Sequence, residues 1–337
     1  MMISVVIPLY NKVNHIKRAL DSVLAQTYQD FEVIVVNDGS TDGSEKVVEQ
    51  YTDLRIRLIN QENAGESAAR NRGIAESKGD LIAFLDADDE WLPEHLETIF
   101  RLSRNYPDCG MYATGRIAHK QSGDKVKLKY SGIPPAPWEG VIPNYFRVNP
   151  PPVCASNSAI WRRVFEDVGY FPVYQYSYRG WQYRNQVGEP SGDVDMWCRI
   201  ALKYRVAFST LYGAITYENA DNRTSGKIEG PIYTSLISTL DSALRENRLP
   251  DWVTNRDILD FRNHHVMVAA RAGLVNLKGY GPVARKMLKS AWSTHKLRAA
   301  VALWYLLSFL PTKITATFWK VVVLSGRFIK RIFGLYR

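Results

Sequence analysis

The apolar run Ile82, Ala83, Phe84, Leu85 opens directly onto three carboxylates, Asp86, Asp88 and Asp89, in the stretch IAFLDADDEW, with little beside them in the sequence to neutralise them. Side chains two apart on an extended segment point the same way, so Asp86 and Asp88 can present oxygens towards one point. Such a cluster is tolerated if water solvates it, if a carboxylate caps the following helix, or if a cation sits between the carboxylates. Hard divalent cations take one or two protein carboxylates and fill the remaining positions with water and phosphate oxygens. A cap instead uses the dipole and the free N–H groups of the next helix. The readings are compatible, with Asp89 assigned to the helix and the other two to a cation.

Three further segments carry groups able to do chemistry. Asp38 closes the apolar run FEVIVVND (31–38), where it can bind a ligand or form a local turn. Arg70 and Arg72 lie in NAGESAARNRG (63–73). A guanidinium suits a diphosphate through its paired donors, and a solvated helix face is the alternative. Asp193 and Asp195 stand at a helix start in GDVDMWCRIA (192–201). There a carboxylate can complement the helix dipole or act as a general base. Neither a G-x-G-x-x-G fingerprint nor a phosphate loop ending in G-K-S/T is present.

The elements that must position these groups alternate. SVVIPLY (4–10), FEVIVVND (31–38), RIRLINQ (55–61) and DLIAFLD (80–86) read as strands. Between them, helical spacing of apolar residues follows Asn14, an expected N-cap, and helices are expected over 41–51, 66–77 and 92–104. This alternation predicts an α/β fold, a mostly parallel sheet with helices on both faces. Ligands bind such sheets at the carboxyl ends of the strands, where Asp38 and Asp86 stand. Further on, CGMYATGRIAHK reads as a strand, 133–153 as a proline- and aromatic-rich loop region, and AIWRRVFEDVG (159–169) as a helix. The segment 173–192 reads as a long polar-aromatic loop, 195–205 as a helix, and the chain from 232 onward as helical.

The motifs VIPLYN (6–11), NDGSTD (37–42), NAGESAARNRG (63–73), FLDADD (84–89) and GDVDMWCRIA (192–201) occur in that order. Together they resemble the family-two glycosyltransferases of the nucleotide-diphosphosugar transferase fold, over roughly residues 3–220. The resemblance implies a Rossmann-like, glycosyltransferase A-type domain over 1–230, with a donor half to about 105 and an acceptor half beyond it. It also implies inverting transfer from a nucleotide-diphosphosugar, with a UDP-sugar as first expectation, to a hydroxyl of a glycan or lipid-linked acceptor in cell-surface polysaccharide synthesis. Residue by residue, Asp38 would accept from the nucleotide base, in a pocket lined by Pro8, Leu9 and Tyr10. Arg70 would lie near the diphosphate, Asp86 near the ribose or metal shell, and Asp88 on a Mn²⁺ or Mg²⁺ ion. Asp193 falls at the family's base position, with Asp195 as its rival. Tyr178, Trp181 and Tyr183 are candidates for an acceptor platform, alongside Tyr174 and Tyr176.

Two departures stand out. Gly192 occupies the place of the family's usual Glu before the base, and TYENADNRTS (216–225) offers Glu218 where the family often supplies a His. They keep open a catalytically inactive homologue acting as an assembly partner. A nucleotidyltransferase on a related fold is the other alternative, although LYNKVNH lacks its Gly-rich basic loop.

Charge separates the end of the chain from the rest. The net charge is +9, yet residues 261–337 hold 14 Lys/Arg and no Asp or Glu, leaving 29 basic against 34 acidic residues before them. This pattern suggests an acidic catalytic body, a helical extension over 231–298 and a basic amphipathic tail over 299–337. Ala299–Leu310 is apolar for only twelve residues, and about twenty are needed to span a bilayer. Lys313, Lys320, Arg327 and Arg331 form a basic stripe beside Phe318, Val321, Val322 and Ile329, which suits an anionic membrane surface. The expectation is therefore a cytoplasmic protein, peripheral on the inner face of the membrane. No nucleic-acid recognition motif accompanies the basic tail, and the helices in 232–295 offer a surface for pairing two copies. The cysteines Cys109, Cys154 and Cys198 are widely spaced and odd in number, which argues against a disulfide framework.

Overall fold

The computed structural model describes residues 1–173, 177–178, 181–182, 192–218, 234–276, 280–291 and 298–317. The chain divides into two compact units, Met1–Arg223 and Thr224–Arg337. The first unit begins β1 (Ile3–Leu9), α1 (Ile16–Leu24), β2 (Phe31–Asp38), α2 (Ser44–Glu49), β3 (Ile56–Gln61), α3 (Glu66–Glu76) and β4 (Leu81–Phe84). It continues β5 (Glu90–Trp91), α4 (His95–Asn105), β6 (Cys109–His119), β7 (Lys125–Lys127), β8 (Glu139–Val141), β9 (Ser158–Trp161) and α5 (Arg162–Val168). It closes with β10 (Ser177–Tyr178), β11 (Trp181–Gln182), α6 (Gly192–Ala201) and β12 (Arg205–Tyr217).

Ten strands form one sheet in the order β3-β2-β1-β4-β9-β6-β12-β5, with β7 beside β6 and β8 beside β12. β1 runs parallel to β2 and β4, and β2 to β3. β6 and β12 are also parallel to each other. β9 is antiparallel to both β4 and β6 and so joins the two parallel sets. The helix expected over 159–169 is present but starts later, as α5 at Arg162, and its first three residues belong to β9. Ala159 and Ile160 are fully buried and fill the gap between β4 and β6. Backbone groups in that gap need ladder partners on both sides, which a strand supplies and a helix does not. Two boundaries also shift. The N-cap of α1 is His15, without a side-chain cap bond, rather than Asn14. α2 starts at Ser44 because Asp42 Oδ1 accepts its backbone N–H at 3.0 Å and turns the chain first.

Helices cover both faces of the sheet. Val5, Ile7, Val33 and Val35 share a core with Ile16, Leu20 and Val23 of α1 and Leu96 and Ile99 of α4. On the other face, Ile34 and Val36 meet Ala69 of α3. Phe84 there meets Phe165, Phe171 and Trp197 edge-on or tilted. A Cβ at Gly73 would stand 2.2 Å from Val6 Cγ1, so glycine lets α3 lie directly on β1. Each fully buried large side chain contributes roughly 1.5–3 kcal/mol, which fixes the strand ends from which the site is built.

The second unit is helical: α7 (Thr234–Glu246), α8 (Asn255–Asn276), α9 (Gly281–Ser290) and α10 (Arg298–Leu307). Met267, Ala270, Leu274, Leu288, Val301 and Trp304 lie in its core. Arg262 of α8 pairs with Asp241 of α7 at 2.5 Å. Among the described residues no helix is long and apolar enough to cross a membrane. The basic stripe beyond Thr317 lies outside the described residues.

Candidate active site

The carboxyl ends of β1, β2 and β3 are stitched together before any ligand is considered. Asn11 takes a positive φ of 51°, a conformation asparagine tolerates better than most residues. Its N–H donates to Ser40 Oγ at 3.1 Å, and its Oδ1 accepts from the Thr41 N–H at 2.8 Å. The Lys12 N–H donates to Ser44 Oγ at 2.8 Å. The Pro8–Tyr10 turn is thereby held against the loop after β2. Leu9 is buried, Pro8 partly so, and Tyr10 stands out at 42% exposure. Asp38 is buried, and its Oδ1 accepts from Gln61 Nε2 at 2.7 Å and the Ala64 N–H at 2.8 Å. Its Oδ2 accepts from the Gly65 N–H at 2.8 Å. Gly65, at φ +88°, completes this loop. The bonds of Asp38 therefore fasten the end of β2 to the end of β3 and the loop after it, and a further donor would share an oxygen that already accepts.

At the end of β4 the carboxylates are neutralised, contrary to the sequence expectation, by cations distant in the chain. Arg70 is 4% exposed, donates from Nη2 to Asp86 Oδ1 at 2.8 Å, and also pairs with Glu66. The Lys12 ammonium lies 2.7 Å from Asp88 Oδ2, with both side chains largely buried. Arg18 donates to the Asp88 carbonyl and stacks over the Tyr217 ring at 3.7 Å. Glu66, Lys12 and Arg18 were missed from sequence because nothing local ties them to Asp86 or Asp88. Arg70 pulls the Glu66 carboxyl down, but desolvation and the field of Asp86, Asp193 and Asp88 outweigh it, and Glu66 is pushed up to about 7.

Asp89 does not cap a helix. α4 begins only at His95, and Glu94 precedes it. Asp89 is instead buried, with Oδ2 accepting from Ser156 Oγ at 2.5 Å and Oδ1 from the Tyr217 N–H at 2.9 Å. Ser156 Oγ also accepts from the Asp86 N–H at 3.2 Å. Asp89 thus fastens the acidic turn to β12 and to the segment before β9. Burial chiefly, then the charges of Asp86 and Asp88, push its carboxyl up to about 8.

The two rivals at the start of α6 separate cleanly. Asp195 is buried and pairs with Arg199 Nε at 3.0 Å. Arg199 in turn donates to the Val168 and Tyr170 carbonyls, so this pair ties α6 to the end of α5. Asp193 is half-buried, and the charges acting on it are those of Arg70 and Asp86. Desolvation raises its carboxyl above the usual range; Arg70 and the Val194 N–H, which donates to Oδ1 at 2.8 Å, pull the other way. The Gly192 departure has a steric cause. A Cβ there would lie 2.9 Å from Ser67 Oγ of α3 and 3.2 Å from Pro172 Cγ.

Glu218 does not join the acidic cluster. It pairs with Lys120, and its N–H donates to the His119 carbonyl at 2.8 Å. β10 and β11 pair antiparallel, with Tyr178 opposite Trp181 in register. Tyr174, Tyr176 and Tyr183 lie outside the described residues.

The oxygens near Asp86 and Asp88 fit a hard cation held jointly with a diphosphate. Asp86 uses Oδ1 for Arg70 and Asp88 uses Oδ2 for Lys12, which leaves one oxygen of each without a hydrogen bond among the described residues. No group of three or more His, Cys, Asp or Glu there is arranged to hold an ion. Two carboxylates completed by water and phosphate oxygens are the set that Mg²⁺ commonly accepts.

Residues 4–169 match the family model "Glycosyl transferase family 2". Glycosyltransferase GlyA of Streptococcus pneumoniae is 43% identical over 101 residues, covering 29% of this chain and 14% of that protein. The uncharacterized glycosyltransferase YibD of Escherichia coli is 43% identical over 103 residues, covering 30% of each chain. The matched stretch is thus a third or less of either relative. S. aureus TarS 1–349, solved in complex with UDP-GlcNAc, superposes with a TM-score of 0.68 at 17% identity, covering 97% of this chain and 93% of that one. With the five motifs in order and the strand-end carboxylates in place, the chain carries a family-two glycosyltransferase domain. Its fold is the mixed α/β, glycosyltransferase A-type architecture, followed by a helical C-terminal region.

Proposed function

We propose that this chain transfers a glycosyl group, with inversion, from a nucleotide-diphosphosugar to an acceptor hydroxyl in polysaccharide synthesis. The observation that carries the reading is that Asp193, at the start of α6, lies in the field of the Arg70–Asp86 pair, with the neighbouring Gly192 seated against Ser67 of α3. Arg70 is placed to orient a diphosphate, because its donors suit two phosphate oxygens and its own carboxylates fix its direction. Asp193 takes the proton of the attacking hydroxyl. The new bond forms between that oxygen and the anomeric carbon as the bond to the leaving phosphate oxygen breaks, so configuration inverts. Asp86 and Asp88 would hold a Mn²⁺ or Mg²⁺ ion, which neutralises charge on the leaving diphosphate when bound.

A uridine nucleotide is the donor most in keeping with the relatives, since TarS is solved with UDP-GlcNAc and with UDP. Calorimetric titration of UDP, with and without Mn²⁺, into the unmutated chain and Asp88→Ala tests the donor site. Metal-assisted binding that the mutant loses is expected. Equal, metal-independent binding by both chains would remove Asp88 and the cation from the proposal.

The acceptor is proposed to be a glycan or a lipid-linked sugar met at a membrane surface. In support, Leu306, Phe309, Leu310 and Ile314 are 66%, 62%, 44% and 52% exposed. They lie at the end of α10 and just past it, followed by the basic residues 320–337. Exposed apolar area beside a basic segment suits an anionic leaflet. Flotation with anionic liposomes should recover the full chain and not a chain truncated after residue 317 with Leu306, Phe309, Leu310 and Ile314 changed to Ser, which keeps the buried Val301 and Trp304 of α10. Equal recovery of both would sink the membrane reading.

A further inference from the structure

The arginines near the candidate site are matched to carboxylates or backbone carbonyls, with one exception. Arg70 has Glu66 and Asp86, Arg18 has the Asp88 carbonyl and Glu90, and Arg199 has Asp195 and two carbonyls. Arg162 donates to the carbonyls of Ile74, Ser77 and Gly79. Arg116, near the end of β6, forms no ion pair among the described residues, and its Nε is buried without a hydrogen-bond partner. Its side chain meets the Cys154 thiol and the Tyr130 phenol, which act on it both as hydrogen-bond partners and electrostatically. Burial pushes these up to about 11 and about 12, so both are neutral at physiological pH. A guanidinium is charged at any accessible pH, and half-burying it beside neutral groups alone is unfavourable.

The position of Arg116 connects it to the reacting groups. Two residues earlier on β6, the Thr114 carbonyl accepts from Asn157 Nδ2, and Asn157 Oδ1 accepts from the Cys154 N–H at 2.8 Å. The neighbouring Ser156 holds Asp89 and the Asp86 N–H. Segment 154–157 therefore ties the strand carrying Arg116 to the acidic turn. Tyr145 lies in the field of both Asp193 and Arg116, and Cys154 in the field of Arg116, Asp89, Asp86 and Asp193. Arg116 and Asp193 thus both act on Tyr145 and Cys154.

We infer that Arg116 is a specificity residue for an anionic group, a phosphate or carboxylate, carried by the acceptor near its reacting hydroxyl or by the donor sugar. The inference deepens the glycosyl-transfer reading and rests on it for the identity of the bearer. The guanidinium supplies paired donors to a planar or tetrahedral anion. Such a ligand completes a cation that the described residues leave without a counter-ion.

The test uses the full chain, titrated with phenyl phosphate, methyl β-glucuronide and methyl β-glucoside, both with UDP present and without it. One of the two anions should bind at least tenfold more tightly than the neutral glucoside. Arg116→Gln should lose about tenfold to a hundredfold of that affinity, and Arg116→Lys should keep part of it, with melting temperature and UDP affinity as checks on folding. A second arm compares UDP-glucuronate with UDP-glucose. A preference for the charged donor that Arg116→Gln abolishes assigns the anion to the donor sugar; a preference seen only among the small probes assigns it to the acceptor. Anion affinity unchanged in Arg116→Gln, or no anion preference in either arm, overturns the inference. Failure of UDP itself to bind strikes the donor reading instead, and the titration without UDP still decides the anion site.

Discussion

On the proposed reading the sheet has a donor edge and an acceptor edge, and the two treat charge differently. At the donor edge each strand-end group has its partner: Asp38 accepts three hydrogen bonds, Arg70 has two carboxylates, and Asp88 has Lys12. At the acceptor edge Asp193 and Arg116 form no ion pair among the described residues. A preorganised edge binds a constant moiety without reorganising for it. An edge with unsatisfied charge takes its partner from the ligand. On that reading the same sheet would hold one kind of donor and leave the acceptor to be chosen by a few residues.

The sharpest way to break this contrast is Arg70→Met. It leaves Glu66 and Asp86 without their cation, and because these carboxylates are 48% and 32% exposed the roughly 3–5 kcal/mol of a fully buried pair is discounted to about 2–3 kcal/mol. Chemical denaturation should show a loss of that order, with UDP binding abolished. A loss under about 1 kcal/mol would mean that the donor edge does not depend on this pair. Gly192→Glu is next. It restores the family's usual acid but forces a side chain against Ser67 and Pro172. A destabilisation of about 1–3 kcal/mol is expected, without a gain in transfer rate.

Lys12→Met sharpens the comparison by removing the counter-charge of Asp88. The melting temperature should fall without divalent cation and recover when Mn²⁺ is added, because the ion replaces the ammonium. A fall that Mn²⁺ leaves untouched would separate Lys12 from the cation site. The smallest effect concerns His95, which forms no ion pair among the described residues. It is fully buried, with Nδ1 3.1 Å from Thr114 Oγ1, and burial lowers its pKa from 6.5 to about 3. Below pH 6.5 the unfolded chain binds a proton that the folded chain refuses. Its contribution is therefore present above that pH and is lost as pH falls towards 3, at roughly 1.4 kcal/mol per unit. His95→Gln should flatten this acid-side slope, and an unchanged slope would show that other groups set it.

Much of the donor edge was legible in the sequence because its signals are local. Continuous apolar runs ending in polar residues mark buried parallel strands, and β1 to β4 fall within a residue or two of the expected spans. The middle of the chain was less legible. Ala159 and Ile160 carry a pattern that suits a short buried strand as well as a helix, and only the gap between β4 and β6 decides between them. Pairings across the fold escaped for a different reason. Lys12 and Asp88 lie 76 residues apart, and Asp89 and Tyr217 lie 128 apart, so no spacing rule joins them. The choice between Asp193 and Asp195 likewise needed Arg199, four residues on, to be seen taking one of them. Arg116 gave no signal in the sequence, because lacking a counter-ion is a property of the fold alone.

The central claim is that Asp193 is the base of a glycosyl transfer whose donor is held elsewhere. The direct measurement is the rate of UDP release from UDP-sugar in the presence of acceptor, together with UDP affinity, for the unmutated chain and Asp193→Asn. Affinity should stay within about twofold while the rate falls about a hundredfold or more. In the unmutated chain the acid limb of the pH–rate profile should lie above the usual carboxylate range, as burial of Asp193 requires. A mutant with the unmutated rate and the same acid limb would contradict the account.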